Sequence, residues 1–385
     1  MKLVDFVIRE VAIPFKVQFT HALAARTHTS SVLFEIISDT GIRGYGEGAP
    51  RGYVTGESIN ATMTALEFVA DKMRHMELNP SDSVIDAIAA LQHDYSRVLD
   101  PHPSAKCAME LALLDAYGKM LSQPVVDFLG ETITPEFYFS GVISEGTAAA
   151  VLKFAHQIKA MKIKQVKVKA STNYRSDLEK IESIKSVLGP DAQLRIDANG
   201  AWGFEEAVEM IQRYGDKGIG IFEQPMPASA KEKYPLLIKK IDDRVKIILD
   251  ESVCTFEDAR WFVENGAASG LNLKISKHGG LINTVAIHRL ASRSGFTNQL
   301  GCHVGETSIL TAAGIVFAAI SDNLFAYEGA YGSFLLEHDV VSDPLQFGLY
   351  GKYRFEELHG RPGLGIEIDP TLLEAHSLQT RRLSI

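Results

Sequence analysis

The sequence predicts an α/β protein, a (β/α)8-type barrel carrying an N-terminal α+β capping domain. Three observations lead there. Between Gln165 and His278, five short apolar runs each end in a charged or polar residue. They are Gln165-Val166-Lys167-Val168-Lys169, Leu194-Arg195-Ile196-Asp197-Ala198-Asn199, Ile221-Phe222-Glu223-Gln224-Pro225, Ile247-Ile248-Leu249-Asp250-Glu251 and Leu271-Asn272-Leu273-Lys274-Ile275. Subtracting the residue numbers of Lys169, Asp197, Glu223, Asp250 and Lys274 gives steps of 28, 26, 27 and 24 residues, and each step holds one amphipathic helical pattern. Strand plus helix at that spacing is the rhythm of a barrel, and the C-terminal ends of barrel strands carry the chemistry of such folds. The first stretch of the chain, by contrast, alternates like antiparallel strands.

A chain of 385 residues is long for one core and implies about two domains. Hydrophobic residues at 46% and charged residues at 23% are ordinary for a globular protein. The net charge of -9 argues against nucleic acid or an anionic membrane as a partner. No apolar run reaches the roughly 18 residues a membrane span needs. Asp5, Arg9 and Glu10 leave no apolar signal-peptide core at the start. Cys107, Cys254 and Cys302 are widely spaced and odd in number, which fits a reducing, cytoplasmic setting.

In chain order, Val4, Phe6 and Ile8 mark one strand and Ser31 to Ile37 another, followed by the Asp39-Thr40-Gly41 turn. Residues near 15–30 and 50–57 read as polar, aromatic loops. Helices are expected at about 57–76 and 80–98. From Ser104 onward, Ala and Leu recur at i, i+3, i+4 and i+7, which predicts a strongly buried helix. Barrel strand one is expected at Phe137–Val142, strand seven at Thr297–Cys302 and strand eight at Asn323–Tyr327, with a helix over Thr307–Ile320. The run Gly363–Ile368 is expected to return to the first module as a late strand. The division is then 1–125 for the cap, 126–345 for the barrel and 346–385 for a segment returning to the cap.

Asp197, Glu223 and Asp250 end strands three, four and five. Adjacent strands lie about 4.8 Å apart, so three consecutive carboxylates can converge. The alternative is three unrelated surface acids. Together in a dry site they would repel, and a divalent cation is the natural neutraliser. An all-oxygen donor set favours Mg²⁺, with Mn²⁺ as a substitute. Lys169 and Lys274 end strands two and six, half a turn apart, so their amines should face each other across the mouth. Neighbouring positive charge should lower their pKa and make them bases. Two opposed bases suit racemisation or epimerisation beside a metal-held carboxylate, through an enediolate. Lys167, two residues before Lys169, points to the same face and adds positive charge. Asn199 and Glu251 are candidate supports for this set. Glu306 either caps the following helix or points inward to the substrate. Arg26 is a candidate for a second carboxylate, and Tyr53 for the pocket wall or for packing of cap on barrel, as are Phe15 and Phe19. His21 and His28 read as local hydrogen-bonders.

These strand ends, in this order, resemble the enolase superfamily. Lys167-x-Lys169, the acids Asp197, Glu223 and Asp250, and Lys274 within Asn272-Leu273-Lys274 are similar to its muconate lactonising enzyme subgroup. Gly46-Glu47-Gly48, Tyr53-Val54-Thr55-Gly56-Glu57 and Pro362-Gly363-Leu364-Gly365 extend the resemblance over essentially the whole chain. It implies proton removal α to a metal-bound carboxylate, two cap loops that close over a small carboxylate substrate, and a homo-oligomer. The subgroup's reactions include racemisation, dipeptide epimerisation, muconate cycloisomerisation and elimination of the o-succinylbenzoate synthase type. Its dipeptide epimerases are expected to carry Asp-x-Asp at the end of strand eight, gripping the substrate ammonium. Here that stretch reads Tyr327-Glu328-Gly329-Ala330-Tyr331, leaving Glu328 as the single acid. Glu306 also departs from the N-acylamino acid racemase pattern.

Overall fold

The structure, a computed structural model, describes residues 1–21 and 24–384, with the side chains of residues 18–21, 24 and 25 outside the description. The chain opens with strands β1 (Leu3–Val11), β2 (Pro14–His21), β3 (Ala24–His28), β4 (Ser31–Ser38) and β5 (Arg43–Gly48). β1, β4 and β5 pair antiparallel around Phe6, Ile8, Phe34 and Ile36, which are fully buried. β2 and β3 form a separate antiparallel ribbon, so the expected loop near 15–30 has regular structure. The side chains of Phe19 and His21 lie outside the described residues.

Helices follow at Ile59–Met73 and Val84–Asp94, each capped by a serine: Ser58 accepts the Ala61 N–H and Ser83 the Asp86 N–H. The long helix Pro103–Leu121 starts with proline at its first turn and ends at Ser122 in the left-handed region. It is buried on nearly every side because it lies between the cap sheet and the barrel. Glycines at alternate positions of β5 make this possible. A Cβ on Gly46 would sit 1.9 Å from the Ala108 carbonyl oxygen, and one on Gly44 2.2 Å from that of Ala112. The helix backbone therefore rests directly on the strand.

A short strand β6 (Glu136–Tyr138) precedes the barrel strands β7 (Gly141–Ile143), β8 (Gln165–Lys169), β9 (Gln193–Asp197), β10 (Ile221–Glu223), β11 (Lys246–Leu249), β12 (Gly270–Leu273), β13 (Asn298–Leu300) and β14 (Leu324–Tyr327). Among the described residues these eight form one curled parallel sheet in sequential order from β7 to β14. Its ends meet where Phe139 bridges Tyr327 and the Ser140 N–H donates to the Tyr327 carbonyl at 2.8 Å. Fully buried Val166, Val168, Ile196, Phe222 and Ile247 fill the strands between polar positions.

Two expectations are corrected. The run Phe137–Val142 is not one strand. Its first part, β6, turns outward to pair antiparallel with β15 (Lys352–Arg354), and only Gly141 onward enters the barrel. Apolar content alone did not separate the two. The returning strand is not Gly363–Ile368 but β16 (Ser377–Ser384), which pairs antiparallel with β1. Gly363 instead lies against the long cap helix, where its N–H donates to the Gln123 carbonyl and the Leu364 N–H to Asp115. No helix among the described residues is long and apolar enough to cross a membrane.

Candidate active site

Period-two alternation on the barrel strands turns every second side chain inward. On β8 that selects Lys167 and Lys169, on β9 Arg195 and Asp197. Glu223 ends β10, Asp250 follows β11, and Asn272 and Lys274 share a face at β12. In register, Lys167 sits beside Arg195, and Asp197 beside both Lys169 and Glu223.

Lys169 Nζ donates to Asp197 Oδ2 at 2.5 Å and to Asn199 Oδ1 at 2.8 Å. On the far strand, Lys274 Nζ donates to Asp250 Oδ2 at 2.5 Å. Both lysines line one cavity of about 400 Å³, together with Tyr53, Asn199, Glu251 and Glu328. The acids between them form a linked row. Lys167 Nζ lies 3.2 Å from Glu223 and 3.4 Å from Asp197. Asn272 Nδ2 donates to Glu223 at 2.8 Å and lies 3.4 Å from Asp250. Gln299 Nε2 donates to the other Glu223 oxygen at 2.7 Å, and Lys277 Nζ binds Asp250 Oδ1 at 2.9 Å.

Burial opposes charge on Asp197, but Lys169 and Lys167 outweigh it and hold the carboxyl below its usual range. Asp250 is held well below that range because Lys274 and Lys277 outweigh the same burial. For Lys274 the lowering expected beside a bound cation is not what the surrounding acids by themselves produce. Burial favours the neutral Lys274 amine, yet Asp250 and Glu251 overcome it and raise the group. Lys167 is likewise raised well above its usual value, by Glu223, Glu328 and Asp197 against burial. At Lys274 the adjacent acids dominate over the Lys167 ammonium farther away.

Among the described residues no three His, Cys, Asp or Glu side chains are gathered closely enough to hold an ion as placed. The trio is joined pairwise, through Lys167 and Asn272, because the ammonium groups draw the carboxylates toward themselves. The donor set fits a hard divalent cation all the same. It is three oxygen donors, each no more than 1% exposed, at the ends of adjacent parallel strands. Glu251, next to Asp250, carries a buried carboxylate oxygen without a partner, and burial pushes its carboxyl up to about 7, with Asp250 and Asp197 adding to the rise.

The remaining candidates separate. Asn199 bridges the site, accepting from Lys169 and donating to Glu251 at 3.0 Å. Its φ of 44°, like the 41° of Gln224, is a strained left-handed backbone held by hydrogen bonds at the strand ends. Glu251 thus supports Asn199 rather than bonding Lys274. Glu306 does not cap the helix Ser308–Ala319. Thr307 and the cap-domain residue Glu47 do so, with Glu47 accepting from Thr307 Oγ1 at 2.7 Å and from the Leu310 N–H at 3.2 Å. Glu306 accepts the His303 N–H at 2.6 Å, and burial raises its carboxyl to about 8. Arg26 stacks over Tyr53 at 5.9 Å and does not line the cavity. Both oxygens of Glu328 are taken, by Lys167 at 2.6 Å and by Arg195.

Arg195, Asn272, Gln299 and Glu47 were not singled out from sequence. For Arg195 and Asn272 the signal was available, since each stands two residues before a selected strand-end group. Arg51 was also missed. It is fully buried and donates to the carbonyls of Ser30, Pro50 and Val304, tying the cap to the loop after β13.

Residues 150–372 match the family model described as enolase C-terminal domain-like, and residues 3–130 match the N-terminal domain of the mandelate racemase and muconate lactonizing enzyme family. The chain belongs to the enolase superfamily. Within it, the muconate lactonising enzyme subgroup is the right neighbourhood. The chain is similar to the crystal structure of N-succinyl Arg/Lys racemase from Bacillus cereus, at 25% identity and a TM-score of 0.90, covering 100% of both chains. It is similar to a dipeptide epimerase from Enterococcus faecalis solved with Mg and the dipeptide L-Leu-L-Tyr, at 26% identity and a TM-score of 0.85, covering 95% of this chain and 100% of that one. Muconate cycloisomerase 1 of Pseudomonas putida is 29% identical over 360 residues, 91% of each chain.

Proposed function

We propose that the protein is a Mg²⁺-dependent isomerase that takes the proton α to a substrate carboxylate and returns it, a racemase or epimerase of an amino-acid derivative or small peptide. The observation that carries this reading is the pair Lys169 and Lys274. They face one cavity from strands half a barrel apart, each bonded to an opposite end of the acid row. Asp197, Glu223 and Asp250 would hold the ion. When bound, Mg²⁺ supplies positive charge that offsets the negative charge gathering on the substrate carboxylate. One lysine, as the free amine, removes the proton from its face. The other, as ammonium, delivers a proton to the opposite face, and the two exchange roles for the reverse direction. Asn199 aims the Lys169 amine, and Lys167 stays charged beside Glu223 and Glu328 to balance the acids. The same reading takes the cap (1–125) and returning segment (346–385) as a cover on the barrel (126–345), and takes the enzyme as a cytoplasmic homo-oligomer that accepts Mn²⁺.

The test is deuterium wash-in from D₂O over N-acyl amino acids, dipeptides and hydroxy acids with Mg²⁺ present. Both enantiomers or epimers of a true substrate should acquire deuterium at the α-carbon. Exchange confined to one of them would exclude two-base chemistry. Similarity to muconate cycloisomerase 1 favours a second reading, ring closure or elimination with one lysine as base. A lactone or a new double bond among the products would select it.

A further inference from the structure

We infer that the substrate group lying toward β14 is neutral, large and apolar, such as an aryl-alkanoyl or long acyl group on the amino nitrogen. This rests on the isomerase reading above and narrows its substrate class. The acid that ends β14 is not available to a ligand, since Glu328 spends one oxygen on Lys167 at 2.6 Å and the other on Arg195. Lys167 is also bonded to Glu223 at 3.2 Å, and Arg195 donates to Ser140 Oγ at 3.1 Å, so both are occupied within the barrel. Of the other charged groups lining the cavity, Lys169 and Lys274 are the opposed pair, and Glu251 receives Asn199. Residues 18–25 contain no Asp, Glu, Lys or Arg.

Apart from Tyr53, Gln157 and His303, the rest of the cavity is apolar. Val142, Phe154 and Met161 line it from the β7 side, and Tyr331, Phe334 and Phe347 from the segments after β14. The last three form a packed aromatic group, with Phe334 and Phe347 centroids 5.0 Å apart and Tyr331 and Phe347 6.0 Å apart. The Tyr331 hydroxyl is directed to the Ser140 carbonyl at 3.5 Å, leaving the ring as its ligand-facing surface. Phe334 remains 44% exposed, a large apolar side chain that folding alone does not cover. The unpartnered Glu251 oxygen lies at the acid row; on the β14 side, where both Glu328 oxygens are taken, the apolar wall favours neutral matter. An ammonium or carboxylate brought there would be desolvated without a partner.

The experiment compares three leucine derivatives that share the reacting centre. 3-Phenylpropanoyl-L-leucine and L-Phe-L-Leu differ only in the ammonium group, and N-succinyl-L-leucine places a carboxylate on the same side. Binding is measured by calorimetry with Mg²⁺ present, alongside α-deuterium incorporation. The neutral compound should bind at least about tenfold more tightly than either charged one, and exchange faster if all three react. Phe334→Ala, at an exposed position where folding should survive, should lower the preference for 3-phenylpropanoyl-L-leucine over N-acetyl-L-leucine about fivefold. Equal or tighter binding of L-Phe-L-Leu or N-succinyl-L-leucine overturns the assignment, as does no binding of the neutral compound. An unchanged preference in Phe334→Ala places the group elsewhere and overturns it too. Tight neutral binding without exchange would sink the isomerase reading and leave this assignment standing.

Discussion

Two buried acids in this molecule have met opposite fates. Asp250, at the barrel mouth, is bonded by Lys274 and Lys277 and held well below the usual carboxylate range despite burial. Glu110, under the cap on the helix Pro103–Leu121, is as deeply buried but is bonded by neutral donors, the Ile282 N–H and the Gln92 amide among them. Burial pushes its carboxyl up to about 7. Burial is common to both, so the partner decides. A charged partner makes the carboxylate a permanent anion, ready for a cation or for electrostatic work, whereas neutral donors leave an acid that titrates near neutrality. Asp250 at the mouth stays ionised, and Glu110 at the seam between cap and barrel titrates near neutrality.

The largest effect expected concerns the lysines that set this contrast. Lys169→Ala and Lys274→Ala should each lower racemisation by about 10³-fold or more, read as interconversion of enantiomers, with the circular dichroism spectrum retained. A variant that still interconverts both enantiomers at a tenth of the parent rate would break the two-base account. Chelation comes next. EDTA should abolish α-deuterium exchange and added Mg²⁺ should restore it. Exchange that survives exhaustive chelation would leave the acids a purely structural role.

Partner removal sharpens the comparison directly. Arg195→Met strips one counter-ion from Glu328 in a buried network and should destabilise the fold by about 3–5 kcal/mol in denaturant titration. Glu328→Gln should cost a similar amount, and the double variant less than the sum of the two. Additive losses would show that the pair does not act as a unit.

The smallest effect is on pH dependence. Because the folded Glu110 pKa is raised, the folded state holds a proton that the unfolded chain releases. Its contribution is therefore most favourable below about pH 4.5, is lost as the pH rises to about 7, and stays level above. Replacing it in Glu110→Gln should remove about 3 kcal/mol of the decline in stability between those pH values. Parallel stability–pH curves for parent and variant would show that Glu110 titrates normally.

Much of the site was legible before any coordinates. Lys169, Asp197, Glu223, Asp250 and Lys274 stand out as candidates because polar residues close successive apolar runs at a regular step. Glu328 and Glu306 were legible only as acids. Nothing local says that Glu328 is consumed by Lys167 and Arg195, residues 161 and 133 positions away. The β6 segment misled for a related reason, as its partner β15 lies more than two hundred residues downstream and strand pairing leaves no mark in a short apolar run.

The linear chain therefore determined the barrel rhythm, the superfamily resemblance and the row of strand-end groups, because period and spacing are local properties. Only the tertiary structure decided which charges are spent on one another. It closed the ring at Phe139 and Tyr327, seated Glu47 of the cap on a barrel helix, and left an aromatic wall beside neutralised charges. Those outcomes depend on distance through space, and electrostatics and packing act across distances that sequence order does not encode.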